Sequence, residues 1–315
     1  MSHTSQVYET DFFGETAVCL KADRYEACVL PRIGGNLISF RQTDRNLHFL
    51  REPKNEAEMK TFLQNPTIWG IPVLFPPNRY EDGLFRWNGN VYRFPINEED
   101  KNNHLHGFVH SIPWQVDSMS AENGESQVTL CLNVDESHSV YTFLPHAFTM
   151  RIRYTLSERG LLQHVFVQNN GQNPLPCLLA FHTTLNAPFD SESKASDYVF
   201  KATIGKRWEV SERMLPTGSE QPLSKDEEKI RHDGINPFFE EMDNHYSAAP
   251  VNGSNRMELT DTRTGMKLIY DAGTSYKHWM IWNNGATEGF FCPEPQINRI
   301  NAPNIKQPDE EVGLV

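Results

Sequence analysis

Positive charge is in short supply in this chain of 315 residues, where 29 Lys and Arg stand against 41 Asp and Glu, a formal net charge of −12. That balance offers no general attraction to phosphate backbones or anionic lipid surfaces, so neither nucleic acid nor membrane is an expected partner. Long apolar runs are missing as well. Nowhere do about 18 consecutive apolar residues occur, as a spanning helix needs, and the opening MSHTSQVYETDFF has no basic stretch followed by an apolar one. A cytoplasmic protein is the expectation. Cysteine is sparse: Cys19, Cys28, Cys131, Cys177 and Cys292 are odd in number, widely spaced and without a C-x-x-C pair. Structural zinc and a redox dithiol are therefore not indicated, and most of these residues are expected to be buried thiols.

Helix signals are also few. The best is KNEAEMKTFLQ at 54–64, which predicts a peripheral helix of about three turns. The charged, turn-rich stretch 216–233 reads as a surface excursion rather than a domain linker. Short apolar segments that alternate as half-buried strands do are plentiful, among them TAVCLKA at 16–22, RYEACVL at 24–30 and QVTLCLNV at 127–134. Three hairpins follow from turn chemistry: FTMRIRYTL through SERG into LLQHVFVQN, FRWNGNVYRFP around Asn88-Gly89, and MELTDTRTGMKLIYD around Thr264-Gly265. With 38% hydrophobic residues the chain can bury a large core. The fold class expected is mostly β, a large antiparallel β-sandwich with few short helices, forming a single domain over 1–315.

Four clusters carry the polar residues able to bind or ionise. In GIPVLFPPNRYEDG, an apolar, proline-stiffened run delivers Asn78 and Arg79, and an arginine there presents a planar fork of donors to hydroxyls or a carboxylate. A surface ion pair with Glu81 or Asp82 is the plain alternative. In NNHLHGFVH, a strand would put His104 and His106 on one face, a spacing suited to sugar binding, to capping the turn before Gly107, or to a metal with His110 or His182 as third ligand. The apolar LPCLLAF ends by presenting His182, a core histidine unless something acidic faces it. Near the end of the chain, FFCPEPQ sets Glu294 between two prolines, and partial burial there raises a carboxylate toward useful base strength.

Taken in order and over nearly the whole chain, these clusters resemble the galactose mutarotase (aldose 1-epimerase) family. RIGGNLISF near residue 32, PNRYEDGLFRWNGNVYRFPIN and, most specifically, NHLHG carry the resemblance. It implies a galactose mutarotase-like supersandwich and an isomerase that interconverts the anomers of a free aldose without a cofactor. His182 in AFHTTLNAP matches the acid that protonates the ring oxygen, and Glu294 in PEPQ matches the base. Arg79 matches the substrate-binding arginine, with Asn78 beside it, and His106 the second site histidine. The binding aspartate falls on Asp243 in MDNHY, with Asp233 as a rival. Thr183-Thr184 depart from the family's aromatic and proline residues after the histidine, where a sugar preference could be set. Trp69 or Trp282 could cover the apolar face of a sugar. The partner implied is a small carbohydrate, and the protein a monomer or homodimer. A non-catalytic sugar-binding protein on the same fold, a sugar-phosphate epimerase and a metal-dependent isomerase using His104, His106 and His182 are the competing readings.

Overall fold

The structure, a computed structural model, describes residues 4–314. The chain traces two compact units, one from residues up to Val73 with Phe108–Leu175, the other from Leu74–Gly107 with residues from Pro176 on.

In the first unit, a five-stranded meander runs Ser5–Phe12, Glu15–Ala22, Tyr25–Leu30, Asn36–Gln42 and Leu47–His48, and a four-stranded one runs Gln115–Glu122, Glu125–Val134, Phe148–Ser157 and Gly160–Asn169. Alternation explains the packing. Phe148, Met150, Ile152, Tyr154 and Leu156 all point inward and are fully buried, as their spacing of two predicts. The expected hairpin forms with Ser157 opposite Gly160. The Tyr154 hydroxyl, carried into this apolar layer, donates to the Gly35 carbonyl at 3.3 Å, so its polar tip is satisfied. The predicted helix spans Glu56–Gln64, capped by Asn55, whose side chain accepts from the Glu58 N–H at 3.0 Å. Its buried Phe62 packs edge-on against Trp69, so that tryptophan is a core residue of this unit.

One expectation is corrected here. Cys19 and Cys28 are not thiols but a disulfide, because the Glu15–Ala22 and Tyr25–Leu30 strands form a tight hairpin whose register sets the two residues directly opposite one another. Although they stand nine positions apart in sequence, the hairpin brings their Cα atoms to 4.1 Å. Cys131, Cys177 and Cys292 are outside the disulfide.

The second unit is built on one large antiparallel sheet in which Pro216–Gln221, Ile204–Val210, Asp243–Ala248, His278–Trp282 and Gly289–Gln296 are successive neighbours. The far edge of Gly289–Gln296 pairs with two separate pieces, Leu185–Ala187 and Ala180–Phe181. The three strands Tyr198–Ala202, Arg256–Asp261 and Lys267–Asp271 form a second sheet, with Gly265 at φ 73 in the predicted turn. Leu84–Trp87 pairs with Asn90–Arg93 through Asn88 (φ 46) and Gly89 (φ 78), both left-handed as a type I′ turn requires. The 216–233 excursion is more ordered than its composition suggests. It contributes the exposed edge strand Pro216–Gln221 and a helix, Lys225–Arg231, closed by a reciprocal capping box between Ser224 and Glu227. Glu227 is fully buried because its carboxylate accepts from Arg207 at 2.9 Å and from the Tyr246 hydroxyl at 2.6 Å.

Candidate active site

The large sheet of the second unit presents one face on which register, rather than sequence distance, assembles the polar residues. His245 lies opposite Met280 and Met280 opposite Glu294, while Asp243 lies opposite Trp282 and Trp282 opposite Cys292. Residues two apart on a strand share a face, so Asp243, Trp282 and Glu294 point the same way. The two prolines around Glu294 suit this strand for a reason beyond stiffness. Proline cannot donate to a ladder. The far-edge pairing is made at Phe291 with Leu185 and at Gln296 with Ala180, leaving the Cys292–Pro295 stretch outside it. Residues 181–184 cross that opening, and His182 comes to Glu294 there.

The Nε2 of His182 is 3.3 Å from Oε1 of Glu294, and both side chains are almost fully buried. Burial pushes the Glu294 pKa well above the ordinary carboxylate range. The negative charge of Asp243 adds to that rise, and the Arg79 guanidinium opposes it. The His106 ring stands edge-on to His182 with centroids 5.2 Å apart, and the Trp282 ring is edge-on to it at 6.1 Å. Arg79 Nη2 is 3.6 Å from Asp243 Oδ2, and Arg79 Nε donates to both carboxylate oxygens of Glu98 at 3.0 Å. Burial raises the Asp243 pKa, which Arg79 draws down and Glu98 draws up. Because 31% of that side chain is exposed, water screens the shift. Together these groups can donate to and accept from hydroxyls and move protons at two neighbouring points.

Five of the residues singled out from sequence therefore come together: Arg79, His106, His182, Asp243 and Glu294. Asn78 stands next to them in a left-handed conformation (φ 56), its side-chain oxygen accepting from the Arg79 N–H at 2.9 Å and its carbonyl from the His106 N–H at 3.0 Å. Asn78 thus ties the arginine and the histidine to one turn. Asp233 is not brought in; it is exposed beyond the Lys225–Arg231 helix.

The shared face expected for His104 and His106 does not form. The strand ends at Leu105, and His106 turns into the left-handed region at φ 67, which breaks the alternation. His104 Nδ1 bonds the Pro95 carbonyl at 2.8 Å and its ring packs on Phe94, while burial pushes its pKa down to about 4. Among the described residues no group of three His, Cys, Asp or Glu side chains is arranged to hold a metal. Thr183 and Thr184 are buried and engaged inward: Thr183 donates to the Tyr270 hydroxyl at 3.2 Å, and Thr184 accepts from Cys292 at 3.5 Å. Burial raises the Cys177 pKa, which keeps it a thiol and a poor nucleophile.

Sequence reasoning missed Glu98. It stands in the run INEEDKNN, where an acidic residue reads as a solvated charge, and nothing local marks its contact with an arginine 19 positions away.

Comparison with known proteins bears on the fold and the family. Over nearly its full length the fold matches that of a galactose mutarotase-like protein from Clostridium acetobutylicum, with a TM-score of 0.95, 29% identity, and coverage of 99% of this chain and 94% of that one. The galactose 1-epimerase of Lactobacillus acidophilus NCFM shares the fold at a TM-score of 0.68 and 14% identity, covering 94% of this chain and 90% of its own. An uncharacterised Escherichia coli K12 protein, YihR, is 28% identical over 147 residues, a match spanning 46% of this chain and only 44% of that protein's length. The expected galactose mutarotase-like β fold is thus borne out. The model of the aldose 1-epimerase family matches residues 16–310, and the chain belongs to that family.

Proposed function

We propose that this protein is a mutarotase that interconverts the α and β anomers of an uncharged free aldose, with Glu294 as general base and His182 as general acid. The observation that carries the reading is the buried His182–Glu294 pair at 3.3 Å, a base and an acid side by side in an apolar setting. Ring opening needs a proton removed from the C1 hydroxyl while another reaches the ring oxygen. Glu294 takes the first as the C1–O1 bond becomes a carbonyl, the C1–O5 bond breaks, and His182 supplies the second. Rotation about C1–C2 and closure on the opposite face of the aldehyde return both protons and give the other anomer. Positioned proton transfer of this kind contributes about 100- to 10,000-fold. The raised pKa of Glu294 gives it the proton affinity a carboxylate otherwise lacks at neutral pH.

Arg79, His106 and Asp243 hold the ring hydroxyls, and Trp282 offers an apolar surface beside His182. An uncharged sugar is favoured over a phosphorylated one because the cations here are already matched. Arg79 faces Glu98 and Asp243, Lys101 faces Glu98 and Asp100, and Arg213 faces Glu81 and Asp82.

Polarimetry or NMR anomer exchange over glucose, galactose, xylose and their relatives tests the reading. Wild type should accelerate at least one sugar, with His182→Asn and Glu294→Gln each slowing it by about 100-fold or more. Acceleration of none, or full activity in both variants, would overturn it.

A further inference from the structure

Arg79 belongs to a three-residue strand, Arg79–Glu81, paired with Asn103–Leu105, so its long side chain has little regular structure to steady it. Left alone, such a side chain loses rotamer entropy each time it must meet a ligand in one geometry. Glu98 removes that freedom. Both of its carboxylate oxygens accept from Arg79 Nε at 3.0 Å, while Asn103 Nδ2 donates to Oε2 at 3.0 Å and Lys101 Nζ stands 3.6 Å from Oε1. The carboxylate is itself anchored. The Glu98 N–H donates to the Asn103 carbonyl and the Asn103 N–H to the Glu98 carbonyl, both at 3.1 Å. Neighbouring Asn97 clasps Leu105 twice, donating to its carbonyl at 2.9 Å and accepting from its N–H at 2.6 Å. The segment that carries Glu98 is thereby bolted to the same short strand that pairs with Arg79.

We propose that Glu98 is the positioning residue for Arg79, fixing the guanidinium so that its Nη edge is aimed at Asp243 and at the hydroxyls of a bound sugar. Resting on the reading of Arg79 as a sugar-binding group, this assigns the task to a residue outside the reacting set. With Nε committed to Glu98, only the Nη groups are left for substrate, and Nη2 is already directed 3.6 Å from Asp243. The positive charges are also matched. Arg79 and Lys101 face Glu98 and Asp243, so the guanidinium acts as a directional donor rather than as a net positive charge.

A double-mutant cycle on Glu98→Gln and Arg79→Ala tests this, using the aldose that wild type turns over or binds best. KM and kcat are measured, and sugar Kd is read independently of turnover by NMR titration. Glutamine keeps the size but not the charge, so Glu98→Gln should raise KM and Kd about tenfold, the scale of one charge-assisted contact, with kcat changed less than about twofold. In the Arg79→Ala background the same substitution should change KM by less than about twofold. Glu98→Asp, which keeps the charge on a shorter arm, should fall between wild type and Glu98→Gln, and it carries the test if the glutamine variant does not fold. If Arg79→Ala weakens binding while Glu98→Gln does not, or if Glu98→Gln acts equally with and without Arg79, the positioning role is overturned and the sugar-binding reading of Arg79 stands. If Arg79→Ala leaves KM and Kd unchanged, that reading fails and the role of Glu98 falls with it.

Discussion

At the scale of single residues, the site consists of groups whose chemistry is set by what surrounds them. Glu294 is one carboxylate among many, and its burial beside Asp243 is what raises its pKa well above the ordinary carboxylate range. Asp243 then tunes it, because a negative charge nearby makes a second ionisation harder. A pH prediction follows from the sign of that effect. The acidic limb of kcat/KM, which reports the free enzyme's base, should lie above the ordinary carboxylate value of 4.5. Asp243→Asn removes the negative charge, lowers the Glu294 pKa and should move that limb to lower pH, whatever it does to the height of the profile. A limb that stays in place or moves up would mean that Asp243 does not act on the base. Much of this was legible beforehand: His182 and Glu294 stand in distinctive local settings, and NHLHG names its histidine. Glu98 was not, because a residue that works through another's guanidinium leaves no pattern of its own.

At the scale of elements, the strands and hairpins were readable because alternation and turn residues are local properties. The limits came where local regularity ends. The period of two that placed His104 and His106 together fails at one backbone angle, the φ of 67 at His106, and Gly107 continues the same turn at φ 65. Glycine is required at that second position on two counts. A left-handed backbone disfavours any side chain, and a Cβ added there would lie 2.4 Å from the Pro76 carbonyl oxygen and 2.5 Å from the Phe75 carbonyl. The neighbours are backbone, so the turn itself has to give. Gly107→Ala should therefore cost about 2 to 4 kcal/mol in urea unfolding, by analogy with other strained or overpacked sites. It should also raise KM by displacing His106. The control is Gly89→Ala, where a Cβ meets nothing within 4 Å and only the backbone preference at φ 78 is lost, so its cost should be about 1 kcal/mol. Equal costs at the two glycines would show that the close approach at 107 carries no weight.

At the scale of the whole molecule, two features lay beyond the sequence: the route of the chain between two compact units and the pairing of Cys19 with Cys28. The chain passes from one compact unit to the other after Val73, Gly107 and Leu175, and no change of composition marks those points. The Cys19–Cys28 disulfide depends on a register that spacing does not reveal. It predicts that thiol titration of the oxidised, denatured chain finds the three cysteines outside the disulfide and, after reduction, all five. Five before reduction would place the pair as thiols.

Acid stability is likewise a property of the whole folding equilibrium. Three imidazoles are buried in the second unit with their pKa values pushed down: His104 to about 4 and His278 to about 3, with His245 well below the ordinary 6.5. Burial is the main cause in each, and the buried Arg299 guanidinium adds repulsion at His278 and His245. Each is neutral in the folded state and takes a proton on unfolding once the pH drops below 6.5. The stability they permit is complete above that value and is lost as pH falls toward 3 to 4. The slope is about 1.4 kcal/mol per pH unit for each group, so His278 alone should cost about 2 kcal/mol between pH 6.5 and 5. The raised carboxyl of Glu294 works in the opposite direction, since the folded state holds its proton where the unfolded chain has released it, and it offsets part of the loss. The comparison is therefore between wild type and His278→Gln in urea unfolding at pH 7 and pH 5. The variant, with no imidazole to titrate at that position, should lose about 2 kcal/mol less on acidification than wild type does, even though its stability at pH 7 is lower. Identical losses would mean that His278 takes up its proton in the folded protein as readily as in the unfolded one, and that the space around it admits a charge.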